Sequence, residues 1–336
     1  MPDLPFVSII VPCYNEEKTI QHLLNGILVQ TYPLEKMEVV ISDGMSTDDT
    51  LEAIEAFKKE HGALRIIVTK NQLKTIPSGL NQAIGESRGD LIIRLDAHSM
   101  PIKEYVERCV SAHQNKKGDN VGGVWEIRPS ESTWVADSIS FAAAHPLGVG
   151  DAMYRLNAKA GAVDTVPFGS FYKSLIQKIG GFDETLLANE DYEFNTRVRE
   201  SGGIVYLDPE IRSVYFSRST LKQLAIQYFR YGFWKLKMLQ RYPHTLRWRQ
   251  ALPPIFVLSL LAWVVLSLWL PIAFYILVVQ LFLYFFVLGL AGLRLAIVKK
   301  KGYLIFGIPL AIATMHIAWG SGFLFSGISS LFAKNG

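Results

Sequence analysis

The last 126 residues of the chain contain no acidic residue. All 30 Asp and Glu lie in the first 210 of the 336 residues, whereas 14 of the 34 Lys and Arg follow them. The first 210 residues therefore carry a net charge of −10, and the remainder carries +14. Because the late basic residues flank long apolar runs, they indicate a segment that enters a membrane and argue against a nucleic-acid partner.

Formal charge is also missing from two long apolar runs, residues 250–293 and residues 302–333. A spanning helix needs roughly 20 apolar residues, so the first run, which Pro271 divides, predicts two crossings and the second run a third. Glycines in the second run, such as Gly320, indicate close helix packing or a re-entrant bend. The alternative is a buried hairpin of a soluble protein, although runs of this length are rare in soluble cores.

Basic residues at the ends of the first two crossings predict the orientation. Arg247 and Arg249 precede the first crossing, and Arg294 with the lysines at 299–301 follows the second. Because cytoplasmic flanks of membrane helices are enriched in Lys and Arg, we expect a multi-pass protein whose first 215 residues form a cytoplasmic domain. Residues 216–250 are basic and aromatic, which predicts amphipathic interfacial helices or, alternatively, an ordinary packing helix. Residues 251–336 are then a membrane domain with about three helices.

Two common phosphate-binding loops are absent from the sequence. No Gly-x-Gly-x-x-Gly follows the first apolar run, where the chain reads Pro12-Cys13-Tyr14, and no Gly-x-x-x-x-Gly-Lys-Ser/Thr occurs anywhere. A nicotinamide enzyme and a P-loop ATPase are therefore poor candidates. The two cysteines, Cys13 and Cys109, have no metal or redox spacing, which fits a reducing compartment. A bound diphosphate would need another source of positive charge, and a divalent metal is the obvious one.

The first 130 residues alternate short apolar runs with longer amphipathic segments. The predicted strands are residues 7–11, 38–42, 64–68, 90–95 and 121–126, and the predicted helices are 16–30, 47–61, 77–87 and 103–115. This alternation predicts an α/β, Rossmann-like domain with a mostly parallel sheet. Ligands of such sheets collect at the carboxyl ends of strands, where Asp43 and Asp96 are expected. Ser46 or Thr47 is the expected cap of the second helix. A further helix is predicted over residues 189–202, with Asn189 as its N-cap.

Acidic residues occur at three points of this domain, at Asp43, at Asp96 and at the pair Glu190-Asp191. Each alone has an ordinary explanation, since an Asp before Gly marks a turn and acids in a first helical turn complement the macrodipole. Asp96 and His98 are two residues apart at a predicted strand end, so they can face one cation together. Carboxylate with imidazole is usual for Mn²⁺ or Zn²⁺ and less favoured for Mg²⁺. Their joint occurrence indicates a site with a nucleotide, a metal and a base.

Six short motifs follow one another in a fixed order. They read Pro12-Cys13-Tyr14-Asn15-Glu16, Asp43-Gly44-Met45-Ser46-Thr47-Asp48-Asp49-Thr50, Gly79-Leu80-Asn81-Gln82-Ala83-Ile84, Gly89-Asp90 to Asp96, Gly180-Gly181-Phe182-Asp183-Glu184 and Asn189-Glu190-Asp191. In this order they resemble the inverting family 2 glycosyltransferases, over about residues 5–240. Asp96-Ala97-His98 and residues 228–235 are most similar to bacterial succinoglycan-type glucosyltransferases. The resemblance implies a GT-A fold followed by interfacial helices and C-terminal transmembrane helices.

The resemblance also implies a role for each motif position. The nucleotide-binding residues would be Pro12, Tyr14, Glu16, Asp43, Asn81 and Asp96, with Asp43 on the base of a uridine-type donor. Asp96 would also hold Mn²⁺ or Mg²⁺, with His98 in place of the second acid of the family's Asp-x-Asp motif. Asp191 would be the general base, with Glu190 as its neighbour. Processive relatives carry Gln-x-x-Arg-Trp at the positions of Gln227, Arg230 and Tyr231, which would contact the diphosphate or the acceptor.

The activity that this resemblance implies is metal-dependent, inverting transfer of a sugar, expected to be glucose, from a UDP-sugar donor. The acceptor would be an undecaprenyl-diphosphate-linked saccharide at the cell inner membrane, in exopolysaccharide synthesis. One alternative is a polyprenyl-phosphate glycosyltransferase of the same fold. Another is a non-enzymatic sensor of sugar nucleotides, which would need no base, so Asp191 in its family position argues against it.

Overall fold

The computed structural model describes residues 4–156 and 159–333. The chain divides into two compact units. The first consists of Met1–Glu126 and Met153–Tyr215, and the second of Ile127–Ala152 and Phe216–Gly336.

The helices and strands follow one another along the whole chain. In order they are β1 (Val7–Cys13), α1 (Ile20–Leu28), β2 (Met37–Asp43), α2 (Thr50–Glu60), β3 (Arg65–Lys70), α3 (Ile76–Glu86), β4 (Leu91–Arg94), β5 (Met100–Pro101), α4 (Tyr105–Gln114), β6 (Asn120–Pro129), α5 (Trp134–Ala143), α6 (Pro146–Val149), β7 (Gly161–Ala162), β8 (Ser170–Tyr172), α7 (Lys173–Ile179), α8 (Glu190–Glu200), β9 (Val205–Ser217), α9 (Leu221–Arg241), α10 (Trp248–Leu266), α11 (Pro271–Lys299) and α12 (Leu304–Ala333).

One mixed sheet of nine strands organises the first unit, in the order β3-β2-β1-β4-β8-β6-β9-β5, with β7 paired to β9. The β1–β2, β2–β3 and β1–β4 pairs are parallel, whereas β8 pairs antiparallel with β4 and β6, and β9 with β5 and β7. The α/β fold-class prediction is confirmed. The parallel half corresponds to predicted strands, while β5, β7, β8 and β9 were not predicted.

The register sets where the strand ends lie. Cys13 at the end of β1 is opposite Asp43 at the end of β2, and Arg94 at the end of β4 is opposite Ile10. The loops after β1 and β2 therefore begin side by side, at the carboxyl edge of the parallel strands. Ligands of parallel sheets bind at this edge.

Helices cover both faces of the sheet because the central strands carry apolar side chains on both faces. One core contains buried residues of α1, α2 and α4, such as Leu23, Ile54 and Val106, against β1 and β2. The other contains residues of α3 and α8, such as Leu80 and Phe194. Strands buried on both faces read as continuous apolar runs, which is how the sequence marked them.

Helix α2 begins three residues later than predicted. Its N-cap is Asp49, so the prediction of Ser46 or Thr47 as the cap is wrong. The Ser46 hydroxyl instead donates to Asp43 Oδ1 at 2.6 Å, and the Thr47 N–H donates to Asn15 Oδ1 at 2.8 Å. Tertiary hydrogen bonds thus hold these residues in a loop, although their side chains suit a helix cap.

Of the helices that the structure describes, three are long and apolar enough to cross a membrane. They are Trp248–Leu266, Pro271–Lys299 and Leu304–Phe332, with mean hydropathies of 1.6, 2.5 and 1.5. The first two expose most of their surface, whereas half of the third is buried within the protein. The composition-based prediction of apolar C-terminal helices is confirmed.

Close packing of α12 explains its glycines. A Cβ on Gly320 would lie 2.5 Å from the carbonyl oxygen of Pro253 in α10, and one on Gly322 would lie 2.1 Å from that of Phe229 in α9. Helix α12 runs uninterrupted through both glycines, so close packing occurs here and a re-entrant bend does not. Small residues at such crossings let helix backbones approach in membrane proteins.

Candidate active site

A buried guanidinium joins three carboxylates in the first unit. Arg94 is the last residue of β4, and its side chain is only 3% exposed. Its Nη2 donates to Glu190 Oε1 at 3.0 Å and to Asp96 Oδ1 at 3.2 Å, and its Nη1 donates to Asp191. The planar, multiply donating guanidinium can serve several acids at once, which Lys cannot do in this way. Arg94 therefore brings the predicted residues Asp96, Glu190 and Asp191 together.

The start of α8 presents two of these acids. Asn189 occupies the N-cap position with a left-handed φ of 66°, a conformation that Asn tolerates better than most residues. Its side chain makes no capping hydrogen bond, so the prediction is right about the position and wrong about the side-chain cap. Glu190 and Asp191 then follow in the first turn, where the helix dipole favours negative charge.

The turn before β8 forms another side of the site. Phe168 and Gly169 both have positive φ, 62° and 35°, and a Cβ on Gly169 would lie 2.4 Å from Asn120 Oδ1. The Phe168 N–H is hydrogen-bonded to the Asp191 carboxylate, and the Gly169 carbonyl accepts the Arg94 N–H at 3.0 Å. The turn thus fixes both members of the ion pair, and position 169 requires glycine.

Charge and burial give Asp191 an unusual acidity. Burial raises its pKa to about 7, and the negative charges of Glu190 and Asp96 act in the same direction, whereas Arg94 and the Phe168 N–H oppose them. Burial alone would lower the pKa of Arg94, but the three carboxylates outweigh this and raise it, so Arg94 stays charged. The Asp191 side chain is 28% exposed. It can therefore exchange a proton with a bound molecule near neutral pH.

The loops after β1 and β2 are tied to each other by their motif residues. Asn15, with a positive φ of 53°, donates its N–H to Ser46 Oγ at 2.9 Å. Asp43 is buried and accepts the Ser46 N–H at 3.1 Å. The Glu16 N–H donates to Thr50 Oγ1 at 2.8 Å. Asp43 therefore stabilises the turn that the Asp-Gly sequence indicated, and it lies at the edge of the cleft predicted for the nucleotide.

Neighbouring motif positions are placed differently. Pro12 lies within β1, and Tyr14 follows the strand with its side chain half exposed. The Asn81 side chain bonds to the loop after α7, accepting the Phe182 N–H at 2.7 Å and donating to Phe182 O and Glu184 Oε1 at 2.8 Å each. Asn81 holds this loop on α3, and its role in nucleotide binding stays a prediction.

Asp96 and His98 lie in a turn after β4, where the Ser99 N–H donates to the Asp96 carbonyl at 2.9 Å. Strand alternation therefore does not apply to them, and that argument for a shared cation is wrong. Asp96 is turned to Arg94, while His98 Nδ1 lies 2.9 Å from Glu16 Oε1. Within the part of the chain that the structure describes, no group of three or more His, Cys, Asp or Glu side chains could hold a metal.

The donor set still fits a divalent ion that shares its ligands with a substrate. Asp96 and His98 are 23% and 34% exposed and offer a carboxylate and an imidazole, with the Glu16 carboxylate beside His98. Mg²⁺ and similar ions at nucleotide sites commonly use one or two carboxylates together with substrate phosphates. An imidazole in the set favours Mn²⁺ over Mg²⁺.

Gln227, Arg230 and Tyr231 belong to α9 in the second unit. The Gln227 amide donates to the Tyr231 hydroxyl at 3.0 Å, one helical turn away. Arg230 is exposed. Their predicted contact with a diphosphate or an acceptor stays a prediction.

Arg94 and the Phe168-Gly169 turn were missed among the predicted site residues. Arg94 carried a signal, because it ends an apolar run in a predicted buried strand, and Arg is almost never buried without a partner. The turn carried a weaker one, since Gly169 only marks a bend. Neither signal alone identifies Asp191 as the partner.

Comparisons with known proteins identify the family of this chain. Residues 8–179 match the sequence model of glycosyl transferase family 2. A dolichyl N-acetyl-α-D-glucosaminyl phosphate 3-β-D-2,3-diacetamido-2,3-dideoxy-β-D-glucuronosyltransferase of Methanococcus voltae is 28% identical over 325 residues, 95% of this chain and 96% of the relative. The succinoglycan biosynthesis protein ExoA of Rhizobium meliloti (strain 1021) is 28% identical over 323 residues, 94% of this chain and 93% of the relative.

A solved structure shares the fold. The mannosyltransferase PcManGT from Pyrobaculum calidifontis, in complex with GDP-Man and Mn²⁺, superposes with a TM-score of 0.61. The alignment covers 99% of this chain and 89% of that one, at 18% identity.

Replacing Arg94 tests whether it holds the site together. Arg94→Met should lower the free energy of unfolding by about 3–5 kcal/mol, because it leaves buried carboxylates without their counter-charge. The control is Arg108→Met. Arg108 pairs with Glu210, and the two side chains are 36% and 69% exposed, so this substitution should lower the free energy of unfolding by less than about 1 kcal/mol. Denaturant unfolding of the purified full-length protein in detergent measures both. Equal, small losses would show that the cluster does not stabilise the fold.

Proposed function

Because the chain belongs to glycosyl transferase family 2, we propose that it moves a sugar from a nucleotide-diphosphate donor to a lipid-linked saccharide at a membrane. The family predicted from the six motifs is thereby confirmed, and so is the GT-A-like α/β fold. One observation carries the proposal. Asp191, to which the family resemblance assigns the role of base, is partly exposed, has a pKa raised to about 7 and is held by Arg94 near Asp96.

The proposed reaction is a single displacement. Asp191 takes the proton of the acceptor hydroxyl as that oxygen forms a bond to the donor's anomeric carbon. The bond from this carbon to the diphosphate breaks, and the nucleoside diphosphate leaves with the electron pair. Attack from the far side inverts the anomeric centre, so an α-linked donor gives a β-glycoside. Arg94 keeps the carboxylate oriented, and Glu190 shares the same guanidinium.

Asp96 and His98 would hold a divalent metal, with Glu16 as the neighbouring acid. Such an ion supplies positive charge that offsets the charge on the departing diphosphate. The Mn²⁺ in the PcManGT complex supports a metal-dependent proposal.

Several features support the choice of acceptor. The Methanococcus relative is named for transfer to a dolichyl-phosphate-linked sugar and the Rhizobium relative for succinoglycan biosynthesis, which favours a lipid-linked saccharide over a bare lipid phosphate. Three apolar helices suit a membrane-bound acceptor. We propose an undecaprenyl-diphosphate-linked saccharide in exopolysaccharide synthesis as acceptor and a UDP-sugar as donor, with glucose as the sugar. Basic flanks such as Arg247 and Arg249 support a cytoplasmic first unit at the inner membrane.

Asp191→Asn should abolish transfer and leave nucleotide binding nearly intact, because the base acts only during attack. The expected loss of turnover is about 10²–10⁴-fold. Sugar transfer from a radioactive nucleotide sugar to membrane lipids, together with calorimetric nucleotide binding, measures the two effects. Asp90→Asn is the control, since Asp90 is exposed at the amino end of β4. If the variant keeps more than about a third of wild-type turnover, well short of that loss, the base lies elsewhere.

The pH dependence follows from the raised pKa of Asp191. A base works only when it is deprotonated, so kcat/KM should rise with pH and reach half of its plateau near the pKa of about 7. Below that pH Asp191 holds a proton and cannot accept another. Initial rates of lipid glycosylation across pH 5 to 9, roughly two pH units on either side of that pKa, define the rising part of the profile. A rate that stays constant through this range would assign proton removal to another group.

His98→Asp should shift metal preference from Mn²⁺ toward Mg²⁺, because it replaces an imidazole by a hard oxygen ligand beside Glu16. Nucleotide-sugar binding with each metal, followed by calorimetry, gives the ratio of affinities. His22→Asp on the exposed side of α1 is the matched control and should leave the ratio unchanged. Identical metal profiles for wild type and His98→Asp, or binding that survives a chelator, would remove His98 from the metal site.

A further inference from the structure

An apolar groove lies among α9, α11 and α12 in the second unit. Its volume is about 700 Å³. Its lining includes Ile226 and Phe229 of α9, Phe285 of α11 and Ile317 of α12. Pockets for small organic ligands commonly have volumes of about 300–1,000 Å³, so the groove can hold a short length of hydrocarbon chain.

One cation borders this groove. Arg230 of α9 is part of the lining and is exposed, and its side chain makes no hydrogen bond or ion pair with any other of residues 4–156 and 159–333. The Thr314 hydroxyl, also in the lining, is already satisfied because it donates to the Leu310 carbonyl at 2.7 Å. The groove thus offers an apolar surface and one unpaired positive charge. Its complement is an anionic head group with an apolar chain.

The groove has a rigid frame. A Cβ on Gly232 of α9 would lie 2.0 Å from the Trp319 carbonyl oxygen. A Cβ on Gly322 of α12 would lie 2.1 Å from the Phe229 carbonyl oxygen. The two helix backbones therefore touch next to the groove. Phe229 and Gly232 face α12, which fixes the place of Arg230 between them along α9.

Ring and hydrogen-bond contacts join α10, α11 and α12 beside the groove. Phe256 of α10 stacks on Tyr284 of α11 at 4.4 Å, and the Tyr284 hydroxyl lies 3.0 Å from His316 Nδ1 of α12. The groove lining on α12 runs from Leu310 to Ala318, and His316 lies within this range. Helix α10 begins eight residues before Phe256, about 12 Å away at 1.5 Å per residue. This level of the helices therefore lies about two helical turns past the start of α10 and the basic residues that precede it.

We propose that this groove binds the chain of a polyprenyl diphosphate next to its head group, and that Arg230 donates to the phosphate. This inference rests on the proposed function and names where its lipid acceptor is held. A phospholipid would bring two acyl chains for one head group, whereas a polyprenyl diphosphate has a single chain. One groove of about 700 Å³ with one cation fits the single-chain lipid. Charge-assisted, bidentate contact with phosphate is what Arg favours.

Photolabelling tests the site directly. The full-length protein is placed in nanodiscs of neutral phosphatidylcholine with an undecaprenyl diphosphate that carries a diazirine in its first isoprene units. Cross-links mapped by mass spectrometry should lie on the lining segments of α9, α11 and α12. Unlabelled undecaprenyl diphosphate should compete, and phosphatidylglycerol should not. Labelling elsewhere, or equal competition by phosphatidylglycerol, would mean ordinary membrane lipid occupies the groove and would overturn the proposal.

Charge and shape are tested by paired variants. Arg230→Gln should reduce labelling about tenfold, the effect of losing one charge-assisted hydrogen bond. Lys222→Gln removes a charge from an exposed position of the same helix outside the lining and should not reduce it. Ala225→Phe, which fills the groove, should also lower labelling, whereas Ala262→Phe on the exposed side of α10 should not. Equal effects within either pair would contradict the site.

The failure of this inference and that of the proposed function can be told apart. If the wild type glycosylates membrane lipid while the probe labels another surface, the groove assignment fails and the transferase proposal stands. If the probe labels the groove and no lipid is glycosylated from any nucleotide sugar, the site stands and its link to transfer fails.

Discussion

The buried contact of Arg94 with Asp96, Glu190 and Asp191 is the interaction on which the candidate site depends. Removing a guanidinium from water is unfavourable, and only several well-placed carboxylates can offset that loss. Arg94 ends a central strand, whereas its partners come from the following turn and from the start of α8. The ion pairs thus join segments nearly a hundred residues apart, and correct pairing requires that the sheet and α8 be folded together.

The same contact sets the chemistry. Three carboxylates surround one guanidinium, so full ionisation leaves excess negative charge in a place with little water. The excess is relieved when one carboxyl binds a proton, and burial together with the other two acids makes Asp191 that group. A fully paired carboxylate would have a low pKa and would be a poor base near neutral pH. The excess of three carboxylates over one guanidinium therefore both holds the site together and raises the pKa of its candidate base.

Periodicity and motif order predicted much of this from the sequence. The strands β1, β2 and β4 were visible because they are buried on both faces, and the acids at their ends followed from strand direction. The short strands β5, β7 and β8 have two or three residues each, too few for a period to show. The start of α2 was misplaced because Asn15, distant in sequence, accepts the Thr47 N–H and holds Thr47 in a loop. Such tertiary contacts override local preference, and a sequence read alone does not contain them.

Two arginines show how context separates structure from binding. Arg94 is buried and shared by three acids, so no ligand could take it without leaving those acids unpaired. Arg230 is exposed and has no partner among the residues that the structure describes, so contact with a phosphate would break no protein interaction. Binding at Arg230 therefore need not offset the loss of an existing pair, which is one of the main penalties on affinity. Although both are arginines near predicted motifs, only the three-dimensional neighbours distinguish the residue that holds the site from the one free to meet a ligand.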